Sequence, residues 1–141
     1  MFLGGEFRHA LDRKRRVFLP ARLRGSEKTF VLARGLEGCL SLYTEDAWKE
    51  LLDKLQQLPV AKKTHARAFR RLLISGAMLA DVDGQGRLLV PESLGRYGGI
   101  HKDVMIIGME NHIEIWALEK WNRYRRSAEK VAARIDEKID L

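Results

Sequence analysis

Two acid–base pairs share one spacing: Asp12 precedes Arg16 by four residues, and Asp83 precedes Arg87 by the same interval. A carboxylate beside a guanidinium can be imagined as a general acid, or as a brace that holds the cation's planar fork ready for an anion. Other catalytic groupings are missing from the chain. His9, His65, His101 and His112 have no metal-ligating spacing, and none neighbours Cys39. The single cysteine excludes an internal disulfide and any Cys-rich zinc site, and reads as a small buried hydrophobe. Gly84-Gln85-Gly86 lacks the third glycine of a dinucleotide fingerprint, because Leu89 stands there, and neither a P-loop nor a G-x-S-x-G elbow occurs. An ion pair or an Asx-type turn accounts for Asp12 and Asp83 more simply than paired general acids do. The expectation is therefore no enzyme, no metal, no cofactor and no small-molecule substrate.

The cations are unevenly placed. Arg8, Arg13, Lys14, Arg15, Arg16, Arg22 and Arg24 are opposed in their window only by Asp12, so all but one unit of the formal charge of +7 sits there. Such a cluster concentrates polyanions around itself, although a solvated Arg-rich loop is the plainer explanation of a charge run.

An internal repeat favours the first explanation. Asp12-Arg13-Lys14-Arg15-Arg16-Val17-Phe18-Leu19-Pro20 and Asp83-Gly84-Gln85-Gly86-Arg87-Leu88-Leu89-Val90-Pro91 both read Asp, three residues, Arg, three apolar residues, Pro. Leu23 and Leu94 keep the same 71-residue offset, which becomes 73 from Val31 and Val104 onward through Trp48 and Trp121. Within each copy, Val17-Phe18-Leu19 or Leu88-Leu89-Val90 predicts a short buried strand, and Pro20 or Pro91 suits the first position of a short helix. Phe30–Ala33 and Val104–Ile107 predict further strands. Gly35–Gly38 and Gly108–Asn111 predict hairpin turns ending in residues that tolerate positive φ. The returning strands point Leu40 and Leu42, or Ile113 and Ile115, to one side. Each copy is too small to hold a core alone, so the two are expected to share one barrel.

Helices complete an α+β chain. Thr44 is a candidate N-cap, followed by an apolar stripe of Trp48, Leu51, Leu52, Leu55 and Leu58 that reads as core packing and stops at Pro59. A second helix is expected from about Val60 into Leu73. A third, from about Leu118, carries Trp121, Tyr124, Ala128, Val131 and Ile135 near a heptad period, to dock on its own barrel or on a neighbouring subunit. The domain division is 1–59, the first repeat with its helix, and 60–141, the linking helix with the second repeat and the C-terminal helix.

With 45% apolar and 32% charged residues, a chain of 141 can bury roughly two-thirds of its unfolded surface without a staple. No apolar run approaches the roughly 20 residues of a membrane span. Glu6 and Arg8 follow Met1-Phe2-Leu3-Gly4 where a signal peptide would be apolar, so a cytoplasmic chain without membrane contact is expected.

With Met1-Phe2-x-Gly4 at the start, two Asp-x-x-x-Arg loops, and Arg70-Arg71-Leu72-Leu73-Ile74-Ser75-Gly76-Ala77 between them, the chain resembles the MraZ family from Met1 to about Trp121. That resemblance implies the AbrB-like swapped-hairpin class. It implies a bacterial, nucleoid-associated regulator of transcription acting at promoter repeats ahead of the division and cell-wall gene cluster. It also implies a homo-oligomeric ring, and it makes Asp12, Arg16, Asp83 and Arg87 the motif positions. Arg15 departs from the family's usual Gly, which Gly86 retains in the second loop. If that position needs positive φ, Arg15 is strained there. The expected partner is double-stranded DNA. Arg16 and Arg87 are aimed by Asp12 and Asp83, while Arg13, Lys14 and Arg15, joined by Arg8, supply phosphate contacts and an Arg–guanine pair. A plainer alternative is that each Asp only braces its loop. An AbrB-type antitoxin bound to a toxin protein, or an oligomeric nucleic-acid-binding scaffold, are the other classes considered.

Overall fold

Proline, glycine and one threonine set several of the boundaries in the computed structural model, which describes residues 4–135. The first copy contains β1 (Glu6–Ala10), β2 (Arg16–Phe18), α1 (Ala21–Arg24), β3 (Thr29–Arg34), β4 (Leu40–Tyr43) and α2 (Glu45–Gln56). A linking helix, α3 (Lys63–Gly76), leads to the second copy: β5 (Met78–Asp81), β6 (Arg87–Leu89), α4 (Glu92–Gly98), β7 (Asp103–Gly108), β8 (Ile113–Ala117) and α5 (Leu118–Ala132). Pro20 and Pro91 each stand one residue before their helix, as N-caps rather than as first helical residues. Their fixed φ turns the chain out of a three-residue strand, and their missing N–H costs the helix nothing there. Thr44 caps α2 as expected, its hydroxyl accepting from the Ala47 N–H at 3.1 Å.

Strand pairing interleaves the copies. β1 pairs with β7 and β5 with β3, so the first strand of each copy lies on the third strand of the other. Across the middle, β4 pairs with β8. The order of the six-stranded sheet is β1-β7-β8-β4-β3-β5, and among the described residues β2 and β6 pair only with each other. The expected shared barrel is thereby corrected. Among the described residues the sheet ends at β1 and β5, and no ladder closes it. With three residues each, β2 and β6 form a separate ribbon, and side chains rather than backbone bonds complete the enclosure. Val17 and Leu88 of the ribbon, with Leu19 and Val90 just after it, join Phe30, Leu32, Leu40, Leu42, Val104, Ile106, Ile113 and Ile115 of the sheet in one buried cluster. One core thus draws on both copies, and the two loops that enter β2 and β6 are forced to lie side by side.

The helical stripes are less buried than their periodicity suggests. Trp48, Leu51, Leu52 and Leu55 of α2 and the following Leu58 are half-buried, with none in the core. Trp121 at the start of α5 packs edge-on to Trp116, their centroids 5.4 Å apart, whereas Val131 is 62% exposed and Ile135 lies past the helix end. At the hairpin tips, Gly38 takes positive φ as expected, but Asn111 does not, and Glu37 does instead. The opening Met1-Phe2-x segment and residues 136–141 lie outside the described residues.

Candidate nucleic-acid interface

Each Asp-x-x-x-Arg segment folds into the same turn because its aspartate collects the turn's own N–H groups. Asp12 Oδ1 accepts from the backbone N–H of Lys14 and of Arg16, both at 2.9 Å, and Oδ2 accepts from Arg16 Nε at 2.9 Å. In the second loop Asp83 Oδ1 accepts from Gln85 and Arg87 N–H at 2.9 Å, and Oδ2 from Arg87 Nε at 3.1 Å. The backbones match as well, with Arg15 N–H donating to the Asp12 carbonyl at 3.0 Å and Gly86 N–H to the Asp83 carbonyl at 3.0 Å. An Asx turn and an ion pair therefore coexist in each loop.

Pairing of β2 with β6 then brings the loops together. Arg16 Nη1 is 3.9 Å from Asp83 Oδ2, and Arg87 Nη1 is 3.7 Å from Asp12 Oδ2, so the four charges form one alternating ring. These side chains are 29% to 35% exposed, enough for a ligand to reach them while their own hydrogen bonds fix their direction. Each guanidinium is gripped through Nε and approached through Nη1, which leaves Nη2 outside these contacts. The carboxyls of Asp12 and Asp83 are held below their ordinary value of 3.8, first by the Arg16 or Arg87 backbone N–H, against a smaller opposing effect of burial. Both arginines consequently keep charged partners at neutral pH.

The remaining expected contacts fall into three environments. Arg13 and Lys14 are exposed at the tip of the first loop, where long cationic side chains reach furthest. Arg8 is exposed on edge strand β1, roughly 13 Å of extended chain before Asp12, and no hydrogen bond joins it to the ring. Arg15 is turned inward. Its Nε donates to the Val90 carbonyl at 3.1 Å, and its buried Nη2 has no hydrogen-bond partner among the described residues. Its φ of 63° matches the 80° of Gly86, so the position does require positive φ, yet the first loop keeps the shape of the second. A non-Gly residue in that region carries strain of about 1–3 kcal/mol, which the surrounding contacts must overcome.

Arg24, counted in the basic cluster, had no place among the expected contacts. Its Nε donates to the Leu19 carbonyl at 2.9 Å, and its guanidinium lies 5.9 Å from the Phe18 ring centroid, beside the loops. The repeat alignment held a usable signal, since Arg24 falls opposite Gly95. Away from the loops, Cys39 and His112 occupy equivalent positions with different fates. Cys39 is buried, its Sγ donates to the Leu36 carbonyl at 3.2 Å, and burial together with Glu114 and Glu37 pushes its thiol up to about 12. His112 stacks on Tyr43 and lies 3.1 Å from Glu114, which also accepts from Trp116 Nε1 at 3.0 Å. Although burial pushes Glu114 up, these hydrogen bonds more than offset it.

Comparison with known proteins bears on the same chain from another side. The family model described as "MraZ protein, putative antitoxin-like" matches residues 2–72 and again 73–140. The chain is 46% identical over 140 residues to the transcriptional regulator MraZ of Natranaerobius thermophilus, covering 99% of this chain and 96% of that protein. It is 45% identical over 140 residues to the Heliobacterium modesticaldum protein of that name, with the same coverage of 99% and 96%. Identity to the Clostridium beijerinckii protein is 48% over 128 residues, 90% of this chain and 89% of the other.

Proposed function

The chain belongs to the MraZ family, and from that premise we propose that it is a regulator of transcription that binds double-stranded DNA through the paired 12–16 and 83–87 loops. One observation carries the reading: two Asp-braced arginines in a single charge ring, with Arg13 and Lys14 beside them at an exposed tip. Phosphate contacts from Arg13, Lys14 and Arg8 orient the protein on the duplex, while Arg16 and Arg87, held by Asp12 and Asp83, reach base edges in the major groove. The interleaved pairing of β1 with β7 and β5 with β3 supports the AbrB-like swapped-hairpin class. No catalytic role is assigned to any residue. Among the described residues no helix is long and apolar enough to cross a membrane.

The operator in this reading is a set of direct repeats at the promoter ahead of the division and cell-wall genes, bound in the cytoplasm at the nucleoid by a homo-oligomeric ring. Unlike apolar surfaces on one chain support head-to-tail assembly: Leu79 on edge strand β5 is 70% exposed, and Val131 on α5 is 62% exposed. Contacts between unlike patches make rings when the rotation closes, and a ring presents its loops in rotational order, as direct repeats do along DNA. Linked subunits then bind at high effective concentration even when each loop binds weakly.

The test is competition of purified protein among duplex from upstream of its own gene, scrambled duplex and RNA. Promoter recognition requires a preference of roughly a thousand-fold over nonspecific DNA. Equal binding to all three defeats the reading in favour of a general polyanion scaffold, and binding to none of them favours the antitoxin class. Shifting the repeats by half a helical turn must cost far more affinity than losing one loop contact, or the ring has no part in recognition.

A further inference from the structure

Aligning the copies at the 71-residue offset places Arg24 opposite Gly95, Arg15 opposite Gly86, Leu19 opposite Val90 and Phe18 opposite Leu89. The contacts of these residues are also equivalent, with one exchange. On one side Arg24, from helix α1, donates Nε to the Leu19 carbonyl at 2.9 Å, and a Cβ on Gly86 would lie 2.9 Å from its Nη2. On the other, Arg15, from the loop, donates Nε to the Val90 carbonyl at 3.1 Å, and a Cβ on Gly95 in helix α4 would collide with its Nη2. The backbones clamp identically around both, Leu19 N–H donating to the Gly86 carbonyl and Val90 N–H to the Arg15 carbonyl, each at 2.8 Å.

The molecule thus contains two equivalent guanidinium sockets. Each is bounded by the carbonyl that follows a ribbon strand, the short helix beyond it, and the opposing loop. We infer that Arg15 and Gly95 are an exchanged pair: Arg15 fills from the loop the socket that Arg24 fills from the helix, and Gly95 leaves the room that this requires. Arg15 is then a positioning residue that locks the Asp12–Arg16 loop against the second copy, and not a phosphate ligand. This refines the DNA-binding reading of the loops, on which its functional half rests. The loop-filled socket is also the poorer one. Arg15 has a φ of 63° and a buried Nη2 without a partner among the described residues, and Leu89 offers no ring where Phe18 flanks Arg24.

The experiment is a cycle of thermal melts on the full chain: wild type, Gly95→Arg, Arg15→Gly, and the double variant, whose net charge equals that of the wild type. Gly95→Arg alone forces two guanidinia into one socket and lowers Tm by on the order of 10 °C. Adding Arg15→Gly restores Tm to the wild-type value or above, because the new side chain enters from the helix and glycine takes the positive φ. A double variant that melts no higher than the summed losses of the singles overturns the pairing. If Gly95→Arg does not fold, Gly95→Ala gives a smaller loss that Arg15→Gly must likewise rescue, and failure of that rescue is equally decisive. A second readout is the salt dependence of binding to promoter duplex. The double variant keeps the wild-type slope if Arg15 only positions its loop, whereas a slope reduced by about 0.9 makes Arg15 a phosphate ligand and overturns the assignment. A protein that binds no duplex defeats the DNA reading alone, since the melts still decide the pair.

Discussion

In the first loop Asp12 is surrounded by Arg13, Lys14, Arg15 and Arg16, four cations to one carboxylate, whereas in the second Asp83 shares its turn with Gly84, Gln85, Gly86 and only Arg87. Their backbones are nevertheless the same, down to a residue at positive φ before each motif arginine. The comparison separates two properties that a single loop would confound. The Asp–Arg frame sets direction and is present twice. Reach and charge come from the tip, and are present once. A loop whose shape survives replacement of Gly, Gln and Gly by three cations has that shape from its aspartate, not from its tip.

The largest expected effect tests the frame. Asp12→Ala removes three hydrogen bonds and one corner of the charge ring, so affinity for the promoter duplex falls by roughly tenfold or more, the scale of losing one bidentate base contact. Circular dichroism and the melting transition stay close to wild type, because the core cluster does not include the loop. Asp83→Ala weakens binding less, since the loop it releases has no cationic tip. Because Arg16 also faces Asp83 and Arg87 also faces Asp12, the double variant departs from additivity. Equal losses from the two single variants break the comparison, and unchanged binding by Asp12→Ala ends the aiming role.

A smaller effect tests the tip. Converting Arg13→Gly and Lys14→Gln gives the first loop the tip of the second. If both side chains meet phosphates, the slope of log affinity against log salt falls by about 2, on cognate and scrambled duplex alike. The converse change, Gly84→Arg with Gln85→Lys, steepens the slope by placing the same side chains on the same backbone. A tip exchange that alters base preference and leaves the salt slope alone reverses the division of labour between frame and tip.

Legibility in the sequence followed the range of the interactions. The turns were readable because an Asx turn is made within five residues, and β2, β3, β6 and β7 because Val17, Phe30, Leu88 and Val104 sit in short apolar runs beside turn residues, whereas β1 and β5, which pair across the copies, were not read. That the two loops lie side by side was not read from the sequence; it follows from the pairing of β2 with β6. What escaped was set by contacts between the copies. Whether the sheet closed depended on the short ribbon strands β2 and β6 choosing each other, and three-residue strands carry no pattern that states a partner. Arg15 was read as a phosphate contact like Arg13 and Lys14 because its destination, the Val90 carbonyl, lies 75 residues away. Arg24 was counted in the basic cluster but given no role of its own for a related reason: its significance lies in the glycine opposite it, and only a comparison of the copies position by position displays that.

Acid titration gives the smallest and most discriminating comparison. Both carboxyls are held below 3.8 in the folded chain, chiefly by the N–H of Arg16 or Arg87. A depressed folded value means that each charged aspartate stabilises the loop fully above its unfolded pKa, and that this contribution is lost as pH falls through the lower, folded one. Neither residue therefore adds any pH dependence to stability between about pH 5 and 8, and both act only in the acid limb below about pH 4. There the loops part company. Protonating Asp12 leaves four cations without a counter-charge inside one turn, whereas protonating Asp83 leaves one. Asp12→Asn should accordingly flatten the fall of Tm between about pH 4 and pH 2.5 more than Asp83→Asn does, with the neutral-pH difference from wild type serving as each variant's baseline. Identical acid limbs for the two variants would mean that the extra cations of the first loop are too well solvated to sense its carboxylate, and the electrostatic half of the loop comparison would fail while the shared backbone frame stood.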